Sequence, residues 1–213
     1  MSELLSEITT MLIEGNLKDM AAKTNAALEG GIGAEAILNE GLMPGMDHVG
    51  VEFKAGNLFV PEVLLSAKTM QEAMNIIRPI LVETGSEPAG KIIIGTAKGN
   101  LHDIVKNPVG MMCEGSGFEV IDLVKNVDPT AFVEAAEEHQ PDIIGMSALL
   151  TTTMLSMERT IKALIEAGVR ESVKVMIGGA PVTQDFADQI GADGYASNAA
   201  SASDLAKELT VCL

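Results

Sequence analysis

From Met1 to about Glu83 apolar residues recur every three to four positions, whereas after Gly90 they gather into short continuous runs separated by helical stretches. The two periods predict two kinds of structure in one chain. Leu4, Leu5, Ile8, Met11 and Leu12 form a helical stripe behind a Ser2 cap, and Gly15 followed by Asn16 ends that helix and caps the next. Leu17, Met20, Ala21, Thr24, Ala27 and Leu28 form a second stripe, stopped by Gly30 and Gly31. A short helix from Ala34 to Asn39 is expected next, then one from Met43 to Lys54 with Met46, Val49, Gly50 and Phe53 on one face. Pro61, at a first helical position, opens a last helix whose stripe from Val63 through Ile77 runs toward Pro79. These elements make an antiparallel helical bundle over residues 1–86.

Gly85 to Gly90 is a linker by composition. Beyond it, strands are expected at Lys91 to Gly95, Glu119 to Leu123, Asp142 to Met146, Lys174 to Ile177 and Gly194 to Ala196. Helices are expected near 107–116, 129–139, 153–167, 183–190 and 199–211, the second opened by Asp128 as cap and Pro129 at the first position. Continuous apolar strands alternating with helices mean a parallel sheet covered on both faces. The predicted class is therefore α/β: a helical cap followed, over residues 90–213, by a flavodoxin-like, Rossmann-type doubly wound sheet whose ligand site lies at the carboxyl ends of its strands.

Composition narrows the chemistry. Lys+Arg 14 against Asp+Glu 30 gives a formal charge of −16, which repels phosphate backbones and argues against a nucleic-acid partner. No run approaches the roughly 20 apolar residues of a membrane span, and the start MSELLSEITT lacks a basic signal-peptide region, so a cytoplasmic protein is expected. Cys113 and Cys212 lack the spacing of a disulfide framework or a zinc site, and Cys113 reads as core. Aromatic content is 3% against 13 Met, so aliphatic and thioether side chains must fill the cores.

The candidate chemistry lies after the first strand, in Gly95-Thr-Ala-Lys-Gly-Asn-Leu-His102-Asp-Ile-Val-Lys-Asn107. It is not a dinucleotide fingerprint, because GxGxxG is absent. Nor is it a phosphate-accepting receiver site, since Ser147 follows the third strand where that site needs a carboxylate. The segment resembles the histidine loop of the B12-binding domain in cobalamin-dependent methionine synthase and in the corrinoid proteins of methanol, methylamine and aryl-ether methyltransferase systems. Gly145-Met-Ser-Ala-Leu-Leu-Thr-Thr-Thr153 and Gly178-Gly179 resemble the family's two further nucleotide-tail loops. Gly45 through Met70 is similar to its helical cap.

The resemblance implies a base-off/His-on cobalamin or related corrinoid. His102 is its cobalt ligand, replacing the cofactor's own benzimidazole. Gly99, Asn100, Leu101, Asp103, Ile104 and Val105 surround that ligand, and Ser147, Leu149, Thr151, Thr153, Gly178, Gly179 and Ala199 line the path of the displaced tail. Thr153 is expected to join the His-loop hydrogen bonds, and the glycine pair to let the tail approach the backbone. Phe53 and Val60 are the implied cover of the upper corrin face, with Phe59 as core; His48 and His139 read as solvated. The family pattern is Asp-x-His-x-x-Gly, so Asn100 and Val105 depart from it. Asn100 is expected to accept a neutral hydrogen bond from the imidazole, and Val105 to crowd the tail. Pro108, unusual inside a helix, places the start of that helix near Asn107.

The implied function is a methyl-carrier subunit. It takes a methyl group on Co(I) from a substrate methyltransferase and passes it to a second methyltransferase with a tetrahydrofolate or thiol acceptor, and a reductive activase serves it. The sequence leaves the methyl donor open. Alternatives are a B12-dependent regulator, which needs a basic DNA-binding module, an adenosylcobalamin mutase domain, which lacks such a cap, and a flavodoxin-like module without a corrinoid.

Overall fold

The computed structural model describes residues 2–84, 88–103 and 106–211. Contacts divide the chain into two compact units, Met1–Pro88 with Gly115–Gly117, and Ala89–Glu114 with Phe118–Leu213.

The first unit is helical: α1 (Glu3–Ile13), α2 (Leu17–Glu29), α3 (Ala34–Ala36), α4 (Met43–Lys54) and α5 (Val60–Glu83). Ser2 caps α1 as expected, its hydroxyl accepting from the Leu5 amide at 3.3 Å. Asn16 sits at the start of α2, but its side chain makes no cap bond and donates to Asp19 instead. The core is aliphatic and methionine-rich, with Ile8, Leu12, Met20, Ile37, Leu42, Met46, Met70 and Ile77 fully buried. Each such side chain contributes roughly 1.5–3 kcal/mol relative to exposure.

Three details differ from the pattern-based reading. The expected break between Asn39 and Met43 is a π-helical stretch, Ile37–Leu42, that joins α3 to α4 without interruption. Pro44 cannot donate a helical hydrogen bond, and the wider turn accommodates it while the Thr9 hydroxyl donates to the Gly41 carbonyl at 2.7 Å. Helix α5 passes through Pro79 to Glu83. The carbonyl that loses its donor belongs to exposed Asn75, and the continuation buries Leu81. Phe59, expected in the core, is 68% exposed at the N-cap position of α5, where its amide donates to the Glu62 carboxylate at 2.8 Å.

The second unit contains β1 (Lys91–Thr96), α6 (Lys106–Gly115), β2 (Glu119–Asp122), α7 (Pro129–His139), β3 (Ile143–Ser147), α8 (Thr151–Glu166), β4 (Lys174–Gly178), α9 (Gln184–Ile190), β5 (Gly194–Ala196) and α10 (Ala199–Val211). The strands pair in parallel in the order β2-β1-β3-β4-β5, the flavodoxin-like doubly wound arrangement. Alternation along β1 explains its unbroken apolar run. Ile93 enters a core with Phe132, Ile144, Met157 and Val175 on one face, while Ile92 and Ile94 meet Cys113, Ile143, Met176 and Ala206 on the other. Asp128 caps α7 as expected, and hydrogen bonds from the Lys98 side chain and the Thr130 amide hold its carboxyl below the usual carboxylate range. A short 3-10 turn at Arg170–Ser172, which no sequence periodicity signals, precedes β4. Among the described residues, no helix is long and apolar enough to cross a membrane.

Cys113 is fully buried, and desolvation pushes its thiol up to about 12, with the Glu114 charge adding to the effect. The sign of the pH effect follows. Above the ordinary thiol pKa of about 8.5 the unfolded chain releases this proton while the folded chain keeps it, so the thiol lowers stability as pH rises. The expected slope from this group is up to about 1.4 kcal/mol per pH unit between the two pKa values. Urea unfolding of wild type and Cys113→Ala across this range checks it, the variant losing less stability per pH unit.

Candidate functional site

The carboxyl end of β1 leads into a tight turn. The Asn100 amide donates to the Ala97 carbonyl at 2.9 Å, and Gly99, with φ +90°, occupies the third turn position, where a side chain would be strained. Asn100 is then 4% exposed with its polar groups engaged. Its carbonyl accepts from the Thr96 hydroxyl at 2.6 Å and the Asn126 amide at 3.1 Å, and its Nδ2 donates to the Ser147 carbonyl at 3.3 Å. The Asn100 Oδ1 accepts from the backbone N–H of His102 at 3.1 Å. A carboxylate at position 100 would lack the donor for Ser147 and would face that carbonyl with like charge. The asparagine is thus matched to its setting, and the contact it makes with His102 is to the main-chain amide. Leu101 and His102 are exposed, which leaves the imidazole accessible, and Asp103 is half-buried.

A cleft opens at the same edge of the sheet, lined by Ile94, Lys106, Val109, Gly145, Met146, Ser147, Met176, Ile177, Gly178, Gly179, Ala196, Ser197, Asn198 and Ala202. It encloses about 450 Å³ of empty space, part of it open to solvent. Its walls are mostly aliphatic. Ser147 is 7% exposed, and its hydroxyl has no hydrogen-bond partner among the described residues. A buried hydroxyl left unpaired costs roughly 1–3 kcal/mol, so this one is available to a polar group that enters the cleft. Ser147→Ala is accordingly expected to stabilise the cofactor-free protein by about 1 kcal/mol in urea unfolding while weakening ligand retention.

The glycine pair has a further cause. A Cβ at Gly179, whose φ is +126°, would overlap the Ala148 carbonyl oxygen, and one at Gly178 would lie 2.7 Å from the Ala196 carbonyl oxygen. The missing side chains first let three strand ends pack together, and the cleft floor is built on that packing.

Comparison with known proteins agrees with this geometry. Residues 90–203 match the model of the B12 binding domain, and residues 4–78 match a second model of that description. The chain belongs to the B12-binding corrinoid protein family. It is 43% identical over 208 residues to dimethylamine corrinoid protein 1 of Methanosarcina acetivorans, covering 97% of both chains. It is 39% identical to a corrinoid protein of Desulfitobacterium hafniense, again covering 97% of both. Among solved structures, the methanol:cobalamin methyltransferase complex of Methanosarcina barkeri contains a chain with TM-score 0.87 and 29% identity, matched over 100% of this chain and 81% of that one.

For a corrinoid protein of this family, the residues present fit the group. The apolar walls suit an aromatic base, the unpaired Ser147 hydroxyl offers it a polar contact, and Gly178 and Gly179 leave the backbone approachable. Other expected site residues fall differently. Thr153 is buried, but its hydroxyl donates to the Leu150 carbonyl at 2.7 Å and accepts from the Leu150 amide at 3.3 Å. Leu150 has no polar side chain to cap α8, and Thr153, at the third helical position, reaches back to the Leu150 backbone instead. Leu149 is half-buried, Thr151 exposed and Ala199 buried, and the cleft wall near α10 is made instead by Ala196, Ser197, Asn198 and Ala202. Ile104 and Val105 lie outside the described residues. In the helical unit Phe53 is half-buried and Val60 is 43% exposed. His48 is exposed on α4. The carbonyl of half-exposed His139 accepts from Lys91 Nζ at the amino end of β1, away from the cleft.

The pattern-based reading gave no role to Lys106. Its side chain is 3% exposed, and Nζ donates to Asp122 at 2.6 Å and to Asn107 at 2.9 Å. Its signal in the sequence is its place in the His-loop motif, directly before Asn107. Pro108 lies near the amino end of the described part of α6, Lys106–Gly115, and where that helix starts falls outside the described residues.

Proposed function

We propose that this chain is the methyl-carrying corrinoid subunit of a methyltransferase system, acting in the cytoplasm on a methyl group from a methylated amine or alcohol. The observation that carries the reading is the unpaired Ser147 hydroxyl in an apolar cleft whose wall also holds the His102 loop through Asn100. Similarity to methylamine corrinoid proteins and to a chain of the methanol complex supports the methyl-transfer role. The bound corrinoid supplies a cobalt centre able to carry and release a methyl group. On this reading His102 would hold the cobalt, Ser147, Gly178 and Gly179 would receive the corrinoid's nucleotide tail in the cleft, and Ile94, Val109, Met146 and Met176 would keep water from it. Phe53 and Val60 are proposed to cover the methyl group, a role that rests on the sequence resemblance. Partners are a substrate methyltransferase, an acceptor methyltransferase using tetrahydrofolate or a thiol, and a reductive activase.

Apoprotein refolded with hydroxocobalamin should take up about one equivalent and retain visible absorption bands through gel filtration. Failure to retain any corrinoid would overturn the proposal.

A further inference from the structure

The loop between β2 and α7 contains two non-glycine residues in the left-handed region, Val124 at φ +69° and Asn126 at φ +58°. Asparagine tolerates that region, whereas a β-branched valine is a genuine outlier there. Such strain persists only where surrounding bonds enforce it. Here the Asp122 Oδ1 accepts from the Val124 amide at 2.7 Å, and the other oxygen of the same carboxylate accepts from Lys106 Nζ.

The strained conformation delivers Asn126 to the turn that precedes His102. Its Oδ1 accepts from the Gly99 amide at 2.8 Å, while its own amide donates to the Thr96 hydroxyl at 2.8 Å and to the Asn100 carbonyl at 3.1 Å. Three consecutive points of the His-loop base, at Thr96, Gly99 and Asn100, are therefore tied to one residue of a neighbouring loop. Asn100 in turn holds the His102 amide. The pairing of this segment with β1 uses other groups: the Val124 carbonyl accepts from the Thr96 amide at 3.4 Å, and Val127 pairs through its amide bond to the Thr96 carbonyl and the bridge to Ala97.

We propose that Asn126 is a positioning residue for His102: it locks the Gly99–Asn100 turn, and through it the direction in which the imidazole leaves the sheet edge. The inference rests on the reading of His102 as the cobalt ligand. Its structural half, the locking of the turn, stands independently of any cofactor.

Two substitutions isolate the side chain from the backbone. Asn126→Gly keeps the positive φ and removes the acceptor, and Asn126→Asp keeps both the φ tolerance and an acceptor oxygen. In apoprotein, amide hydrogen exchange at Gly99, Asn100 and His102 is expected to rise about three- to tenfold in Asn126→Gly, the loss of roughly one hydrogen bond, and to return toward wild type in Asn126→Asp. In protein loaded with cobalamin and reduced to Co(II), the fraction of spins split by a 15N-labelled histidine is expected to fall in Asn126→Gly and recover in Asn126→Asp. Unchanged exchange in Asn126→Gly overturns the proposal whatever the metal does. Faster exchange with an unchanged histidine-bound fraction overturns the positioning of His102. A wild-type spectrum insensitive to the label, alongside faster exchange in the glycine variant, refutes the ligand reading and with it the functional half of the proposal.

Discussion

His102→Ala should abolish histidine-dependent nitrogen splitting in the Co(II) electron paramagnetic resonance spectrum of cobalamin-loaded protein. Wild type carrying 15N-histidine should show the changed splitting that identifies an imidazole on cobalt. The expectation follows from placement. His102 is exposed at the carboxyl end of β1. Its amide is held by Asn100, which is anchored to the Ser147 carbonyl on the cleft wall. Ligands of open α/β sheets bind at that edge. A second histidine serves as an internal control. His139 sits at the amino end of the sheet, so His139→Ala should not alter the spectrum. Persistence of the label effect in His102→Ala would reassign the ligand. Binding itself should weaken rather than vanish, because the cleft and its Ser147 hydroxyl remain.

Gly179→Ala should produce the largest loss of stability of any single methyl addition proposed here. The backbone at φ +126° lies where residues with a side chain are strained by about 1–3 kcal/mol, and the new methyl would overlap the Ala148 carbonyl oxygen. Overpacking against backbone adds roughly another 1–3 kcal/mol, because the main chain of β3 and its loop must shift. The comparator is Gly191→Ala: Gly191 also has positive φ, +76°, but a Cβ there meets nothing within 4 Å. Urea unfolding should therefore separate the two, with Gly191→Ala showing the strain alone and Gly179→Ala showing strain plus overlap. The Gly179 variant should also fail to retain hydroxocobalamin, since the displaced Ala148 directly follows Ser147 at the end of β3. Equal destabilisation of the two variants would show that the strand ends yield without cost.

The places of His102, Ser147 and the Gly178-Gly179 pair at one sheet edge are legible in the sequence, because each follows an apolar run and a doubly wound sheet collects the ends of its strands there. The contacts of Asn100, Thr153 and Asn126 are not. Each depends on which donor and acceptor lie opposite across the fold. Asn100 was read against a carboxylate of its relatives as a weakened partner for the ring, yet the Ser147 carbonyl facing it makes the amide the fitting choice. Thr153 serves its own helix because Leu150 has no cap to offer. Phe59 was placed in a core by helical spacing, but it stands one residue before α5, where that spacing no longer applies.

By itself the sequence determined the alternation of apolar runs with helical stripes, and therefore a helical segment followed by a parallel α/β sheet, because backbone hydrogen bonding and burial act on local periodicity. It also placed the candidate ligand, since strand order and chain direction decide where loops emerge. Only the tertiary structure decided that Ser147 keeps an unpaired hydroxyl, that Gly179 must lack a side chain, and that Asn126 reaches the His-loop. Those facts depend on atoms distant in sequence that approach within a hydrogen bond or a van der Waals contact, and no periodicity along the chain records such encounters.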